Sequence, residues 1–185
     1  MDFYDVLNRR KSIRKYTSQK VPEDSLIRVL EAARIAPSWG NKQCWRYIVV
    51  DDPTVLKKIV SSLAKTFNAP MFIVAGADPS HSGHKNGMDY YLVDVGISME
   101  HLVLAAAAEG LGTCWLGGML DEAVVKRELN IPDSMKVVAM TPLGYPEDGA
   151  IKGLVGNVMR ASIGADARKP LAEIISRNRF GEPFK

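Results

Sequence analysis

Apolar residues recur at helical spacing through the first third of the chain. Phe3, Val6 and Leu7 share one face of a predicted helix over 2–10. Leu26, Val29, Leu30 and Ala33 form the stripe of a second, with Pro22 in its first turn and Glu23 and Asp24 suiting its N-terminal dipole. Pro37 ends it. Short apolar runs between turn formers predict strands over 45–50, 71–75, 113–116 and 135–143. Further helices are predicted over 54–64, 89–109 and 121–129, with Gly110 and Asp121 as caps. The helix over 89–109 is apolar on nearly every side, so it must be covered all round, between layers or at a subunit interface. Residues 78–87 read as loop, and 147–167 fit no single pattern. A short helix over 171–176 leads into a tail tipped by Phe180 and Phe184.

Composition narrows the function classes. A chain of 185 residues fits one domain, 1–185. It can bury roughly 70% of its unfolded surface without a metal or disulfide staple. Lys and Arg number 24 against 21 Asp and Glu, a net +3 too small to mark a nucleic-acid partner. The two cysteines, Cys44 and Cys114, make neither a disulfide framework nor a CxxC motif, which points to a reducing, cytoplasmic setting. Both are expected to be buried. The first ten residues contain no apolar signal core. The longest unbroken apolar run, 102–108, falls well short of the ~20 residues a bilayer needs, so no membrane is expected.

Several chemistries lack their motifs. There is no GxGxxG for a Rossmann site, no GxxxxGK[ST] P-loop and no GxSxG elbow. His81 and His84 lie in the loop-like stretch without a third ligand, so no metal is expected there. His101 is expected to be a hydrogen-bonded helix residue. No catalytic side chain stands out.

Three stretches carry candidate chemistry. Arg9, Arg10, Lys11, Arg14 and Lys15 crowd around Ser12. Arginine forks and a hydroxyl suit a phosphate, while the same run also reads as a solvated basic surface. Residues 37–45 set Ser38, Asn41 and Gln43 beside Trp39 and Trp45, which suits the amide edge and face of a flat heterocycle, or simply a structural loop. Residues 112–118 end in Gly117 and Gly118, where a ligand can approach the backbone or the chain can make a tight turn.

In order and spacing, these stretches resemble the flavin-dependent nitroreductase family. The likeness rests on Arg10-Lys11-Ser12-Ile13-Arg14-Lys15-Tyr16, Ala36-Pro37-Ser38-Trp39-Gly40-Asn41-Lys42-Gln43, residues 112–118 and Arg168-Lys169-Pro170-Leu171. It implies an α+β fold with a central, mainly antiparallel mixed sheet flanked by helices. It also implies an intertwined homodimer whose tail, from about 165, wraps the partner. The implied cofactor is flavin mononucleotide (FMN). Arg10, Ser12, Arg168 and Lys169 would hold its phosphate, with Lys11 contributing through its backbone and Arg14 near the ring's N1/O2 edge. Pro37, Ser38, Trp39, Asn41 and Gln43 would reach the ring from the other subunit. Trp115, Leu116, Gly117 and Gly118 would line it.

The implied activity passes hydride from NAD(P)H to a small electron-poor acceptor, of nitroaromatic or quinone type, in ping-pong order. The alternatives are a flavin-dependent dehalogenase or flavin-fragmenting relative, and a non-catalytic flavin binder. Two departures stand out. Cys44 occupies a position usually held by Pro, and Gly117 one where larger members carry an acidic residue. The substrate lid would come from about 65–91.

Overall fold

The computed structural model describes residues 2–60, 67–118, 121–147 and 167–183. They belong to two compact units, Met1–Ala150 and Ile151–Lys185.

In the first unit the helices are α1 (Phe3–Arg9), α2 (Glu23–Arg34), α3 (Pro53–Ile59), α4 (Tyr90–Ala108) and α5 (Glu122–Glu128). The strands are β1 (Trp45–Val50), β2 (Met71–Ala77), β3 (His84–Lys85), β4 (Met88–Asp89), β5 (Gly112–Thr113) and β6 (Lys136–Gly144). Four strands form an antiparallel sheet in the order β1-β2-β6-β5. A single parallel bridge, Ser12 to Thr113, makes it mixed. The fold is therefore α+β, with a mainly antiparallel sheet between helices.

Strand periodicity divides the core. Met71, Ile73, Ala75 and Ala77 of β2 point to the side holding Val29 of α2 and Val95, Met99 and Leu102 of α4. Phe72 and Val74 point the other way, toward Leu56 and Ile59 of α3 and Val125 of α5. Both faces are covered, which is why β2 reads as an unbroken apolar run.

Several elements differ from the pattern-based expectation. On α1 only Val6 is buried, while Phe3 and Leu7 stay exposed, so the predicted apolar face finds no cover within this unit. Pro22 is the N-cap of α2 rather than its first residue. The strand expected over 113–116 shrinks to β5. Cys114 donates its backbone N–H to the side-chain oxygen of Thr141 (3.0 Å), which breaks the ladder, and Leu116 rejoins for one bridge with Met140. The loop-like stretch contains a 3-10 turn, Pro79–His81, and β3, whose hairpin partner β4 runs past it to Asp89, so the helix expected from 89 starts at Tyr90. Helix α3 is capped by Asp52, whose carboxylate accepts from Thr54 and Val55; residues 61–66 of the predicted helix lie outside the described residues.

Helix α4 is less uniformly apolar than its composition suggests. Asp94, Ser98 and His101 follow i, i+4, i+7 spacing and so share a face. Asp94 and Ser98 are buried, and His101 is half-buried. By length and hydropathy α4 is the one helix among the described residues that could cross a bilayer, with a mean hydropathy of 1.4. Counting unbroken apolar runs overlooks it, because Asp94, Glu100 and His101 interrupt the run. In the fold it packs on the sheet, with Val95, Met99, Leu102 and Ala106 at 0% exposure.

The second unit contains α6 (Leu171–Ile174), a single turn where a helix over 171–176 was expected, followed by a bridge between Ser176 and Pro183. Phe180 is fully exposed. Residues 148–166, and with them most of the unassigned stretch, lie outside the described residues, as does Phe184.

Candidate functional site

The basic segment lies against one end of the sheet. Ile13 donates its N–H to Thr113 O (2.8 Å), Thr17 donates to Tyr145 O (2.9 Å) and Glu147 donates to Lys15 O (3.1 Å). Asn68 grips Tyr16 at both backbone groups, accepting its N–H at 2.8 Å and donating to its carbonyl at 2.9 Å. The Tyr16 phenol donates to Ile13 O, and burial pushes its pKa up.

The bed for this segment is a pair of glycines, Gly112 and Gly144, that face each other across β5 and β6. A Cβ on Gly112 would come within 2.8 Å of Ile13, and one on Gly144 within 2.7 Å of the Pro70 ring and 3.2 Å of Tyr16. Only a strand pair without side chains lets the segment lie this close.

The segment presents its charges half-buried. Arg10, Lys11, Ser12 and Arg14 are all partly covered. Among the described residues, no carboxylate approaches Arg10 or Arg14 within 4.0 Å. Arg14 instead donates to Ser12 O at 3.4 Å. Arginine forks beside a hydroxyl, with no carboxylate in salt-bridge reach of Arg10 or Arg14 among the described residues, suit a phosphate. Cys114 senses the same field. Burial pushes its thiol up, while Arg14, the Ser12 hydroxyl and Arg10 pull it back.

Residues 115–118 continue from Cys114 at this end of the sheet. Trp115 is exposed, and its indole Nε1 lies 3.5 Å from where a Gly117 Cβ would stand. Among the described residues nothing approaches the corresponding position at Gly118 within 4 Å, so that backbone is open to them. Leu116 turns into the core, and its N–H and C=O both pair with Met140 at 2.9 Å.

The 37–43 loop is built elsewhere. Residues Gly40, Asn41 and Gln43 take left-handed φ values of 52°, 56° and 49°. The turn closes on itself, with Ser38 Oγ accepting from Gln43 N–H (2.9 Å) and Gln43 Nε2 donating to Asn41 Oδ1 (3.1 Å). Pro37, Asn41 and Gln43 are exposed, and Ser38 and Trp39 half-buried. Sequence reasoning missed the residue that anchors the loop. Asp94, only 2% exposed, accepts Trp39 N–H at 2.8 Å. No local pattern marks Asp94; its partners lie 12 to 55 residues away.

The two groups meet α4 on different sides. The 37–43 loop hangs on Asp94, whereas at Glu100 burial pushes the carboxyl up and the charge of Arg10 pulls it back. Six helical residues separate Asp94 from Glu100, about 9 Å along the axis and about 120° around it. Arg168 and Lys169 belong to the second unit, just ahead of α6, and are exposed. A surface depression on and beside α5, lined by Glu122, Lys126, Arg127 and Asp133, is internally neutralised, with Lys126 3.3 Å from Glu122.

The histidines have local partners. His81 contacts Asp78 at 2.9 Å and His84 contacts Asp89 at 2.6 Å. His101 Nδ1 donates to Ala32 O at 3.2 Å, as a helix histidine is expected to. Both cysteines are free and buried.

A mixed sheet between helices, with a basic segment laid over a glycine pair, defines an α+β protein. The chain belongs to the nitroreductase family: the family described as "Putative TM nitroreductase" matches residues 2–184. It is 40% identical over 151 residues to a "Putative NADH dehydrogenase/NAD(P)H nitroreductase" of Archaeoglobus fulgidus, covering 77% of this chain and 84% of that one. A solved nitroreductase family protein of Clostridium novyi NT is 35% identical, with a TM-score of 0.77 over 100% of this chain and 97% of that one. A solved FMN-dependent nitroreductase of Clostridium difficile R20291 is 30% identical, with a TM-score of 0.67 over 77% and 86%. An iodotyrosine deiodinase of Thermotoga neapolitana is 25% identical over 173 residues, covering 78% of this chain and 89% of that one. These names support an oxidoreductase.

Two outcomes follow from the site's packing. Gly112→Ala drives a methyl into Ile13 and lifts the basic segment; overpacking of this kind costs about 1–3 kcal/mol. Urea denaturation reads that loss, and an unchanged midpoint would contradict the close approach. The second concerns Cys44, whose thiol is pushed up to about 11 from an ordinary 9.0, first by burial and then by Asp94. The unfolded chain therefore ionises this thiol first. The stability it contributes is complete below pH 9 and falls as the pH rises toward 11. Urea midpoints should drop more steeply over that window in the native protein than in Cys44→Ala; parallel curves would refute the assignment.

Proposed function

We propose that the chain is an FMN-dependent oxidoreductase that uses NAD(P)H to reduce a small electron-poor acceptor, a nitroaromatic or quinone. One observation carries this reading: Arg10, Ser12 and Arg14 stand half-buried on a pinned segment with no carboxylate within salt-bridge reach among the described residues. That donor set fits a flavin's terminal phosphate, and the open backbone at Gly118 fits a flat ring approaching it. The FMN in a relative's name adds to the case.

When bound, the flavin supplies two-electron redox chemistry between a nicotinamide donor and the acceptor. The chain's own residues bind and orient. Arg10 and Ser12 would hold the phosphate, with Lys11 contributing through its backbone. Arg14 would supply a fixed positive charge for the polar edge of the ring. Gly117 and Gly118 offer backbone N–H groups, and Trp115 walls the site. Donor and acceptor use this one site in turn, so no separate nucleotide fold is needed. No side chain of the chain is assigned a proton-transfer role.

We also propose a homodimer in which Pro37, Ser38, Trp39, Asn41 and Gln43 serve the partner's flavin and the tail wraps the partner. Two features support this: the halves of the site meet α4 on different sides, and Phe3, Tyr4, Leu7, Leu92 and Val93 are exposed apolar residues on α1 and α4. Two free thiols fit a cytoplasmic protein with small-molecule substrates and neither nucleic-acid nor membrane partners.

A second reading, reductive dehalogenation, draws on the deiodinase relative. Turnover of an iodinated phenol without turnover of quinones would favour it. Flavin bands that persist with both donors would point to another reductant or to non-catalytic flavin binding.

The test begins with the visible spectrum of the purified protein, before and after anaerobic addition of NADPH and then NADH. Flavin bands that bleach and return on adding a quinone are expected; a colourless protein that takes up no FMN would refute the reading. Arg10→Glu sets a carboxylate against the phosphate and should lower flavin retention at least tenfold. Full occupancy in that variant would remove Arg10 from the site.

A further inference from the structure

Asp94 is a buried carboxyl group that the flavin site does not itself use. A carboxylate this deep is costly unless its oxygens are hydrogen-bonded. Its partners come from two separate stretches of chain. Oδ1 accepts the N–H of Trp39 at 2.8 Å. Oδ2 accepts the Ser82 hydroxyl at 2.8 Å and the Cys44 thiol at 3.5 Å. Trp39 and Cys44 bracket the left-handed residues Gly40, Asn41 and Gln43, a backbone that persists only where its surroundings hold it. Ser82 leads into the β3–β4 hairpin, within the stretch expected to supply the substrate lid.

The indole of Trp39 reports the same junction. It packs on Tyr90 with ring centroids 4.1 Å apart. A Cβ on Gly83 would stand 2.4 Å from that indole, so Gly83 is the gap the ring fills. Tyr90 N–H in turn donates to Gly83 O at 2.8 Å. Trp39 is therefore held at its backbone by Asp94 and at its ring by the residues that flank the hairpin.

We infer that Asp94 is the positioning residue of the site: one carboxylate fixes the Trp39 loop and, through Ser82, ties it to the 78–89 segment, so that the cofactor-facing and substrate-facing loops keep one spacing. The inference rests on the flavin reading above. Asp94 touches neither cofactor nor substrate; it acts through Trp39 and Ser82. Loss of the Trp39 contact should loosen flavin. Loss of the Ser82 contact alone should loosen only the substrate side.

The experiment compares the purified holoprotein with Asp94→Ala, Asp94→Asn and Ser82→Ala. The readouts are FMN release on dilution, followed by flavin fluorescence, and steady-state kinetics with para-benzoquinone. Asp94→Ala should weaken FMN binding about tenfold, the scale of a lost hydrogen bond to a charged group. Asp94→Asn keeps an oxygen for Trp39 N–H and should recover most of that affinity. Ser82→Ala should hold FMN within twofold of the native protein and raise the quinone KM severalfold with kcat little changed. A merely structural Asp94 would lower the melting temperature and leave FMN affinity and quinone KM untouched, which would overturn the inference. Should Asp94→Ala fail to fold, Ser82→Ala decides: an unchanged quinone KM overturns it. A native protein without flavin sinks the functional reading and this inference together, whereas native flavin with indifferent variants sinks the inference alone.

Discussion

Ser98 donates its hydroxyl proton to the carbonyl of Ala33 at 2.7 Å and accepts that of Tyr47 at 2.6 Å, all inside the apolar layer between α2, α4 and β1. A serine has one proton, so the two contacts set both directions. One turn earlier on the same face, Asp94 takes the loop that follows α2; three residues later, His101 takes Ala32 O. Among the last carbonyls of α2, α4 bonds two, those of Ala32 and Ala33, and Ala33 O also accepts Ala36 N–H at 3.3 Å. Each such bond nets only about 0.5–1.5 kcal/mol, but an unpaired buried group costs about 1–3 kcal/mol. Rotating or sliding α4 would break all three contacts at once. The stripe therefore specifies register more than it adds stability, and burial pushes the pKa of the Tyr47 phenol up to about 12.

The basic segment is placed by the opposite device, an absence of side chains. Gly112 and Gly144 leave a bed on the sheet's edge, and Asn68 pins Tyr16 above it as a strand neighbour would. Arg10, Ser12 and Arg14 are thus held on rigid backbone, though the segment has little regular structure of its own. The Trp39 loop depends on Asp94 in the same way. The chain positions both candidate ligand surfaces from its core, with α4 between them.

Much of the helical layer was legible. The α2 stripe, the α4 span, the buried cysteines and the caps at Asp121 and Gly110 follow from local patterns, and local patterns persist in the fold. The misread elements share a cause. Phe3 and Leu7 made an apolar face that finds no cover in its unit, and periodicity reports a face without saying what covers it. The strand over 113–116 failed because Thr141, 27 residues away from Cys114, took the N–H that the ladder needed.

The amino-acid sequence alone determined the family, through four ordered motifs, and the chemistry available at them: guanidinium forks with a hydroxyl, a polar loop with indoles, and bare backbone at paired glycines. Tertiary structure decided how those groups are held. Asp94, Asn68 and the Gly112–Gly144 pair have no local signature, because each works on partners brought near only by sheet register or helix packing. Local physics writes itself into periodicity and caps; a buried charge or a missing Cβ acquires meaning only from what the fold sets against it.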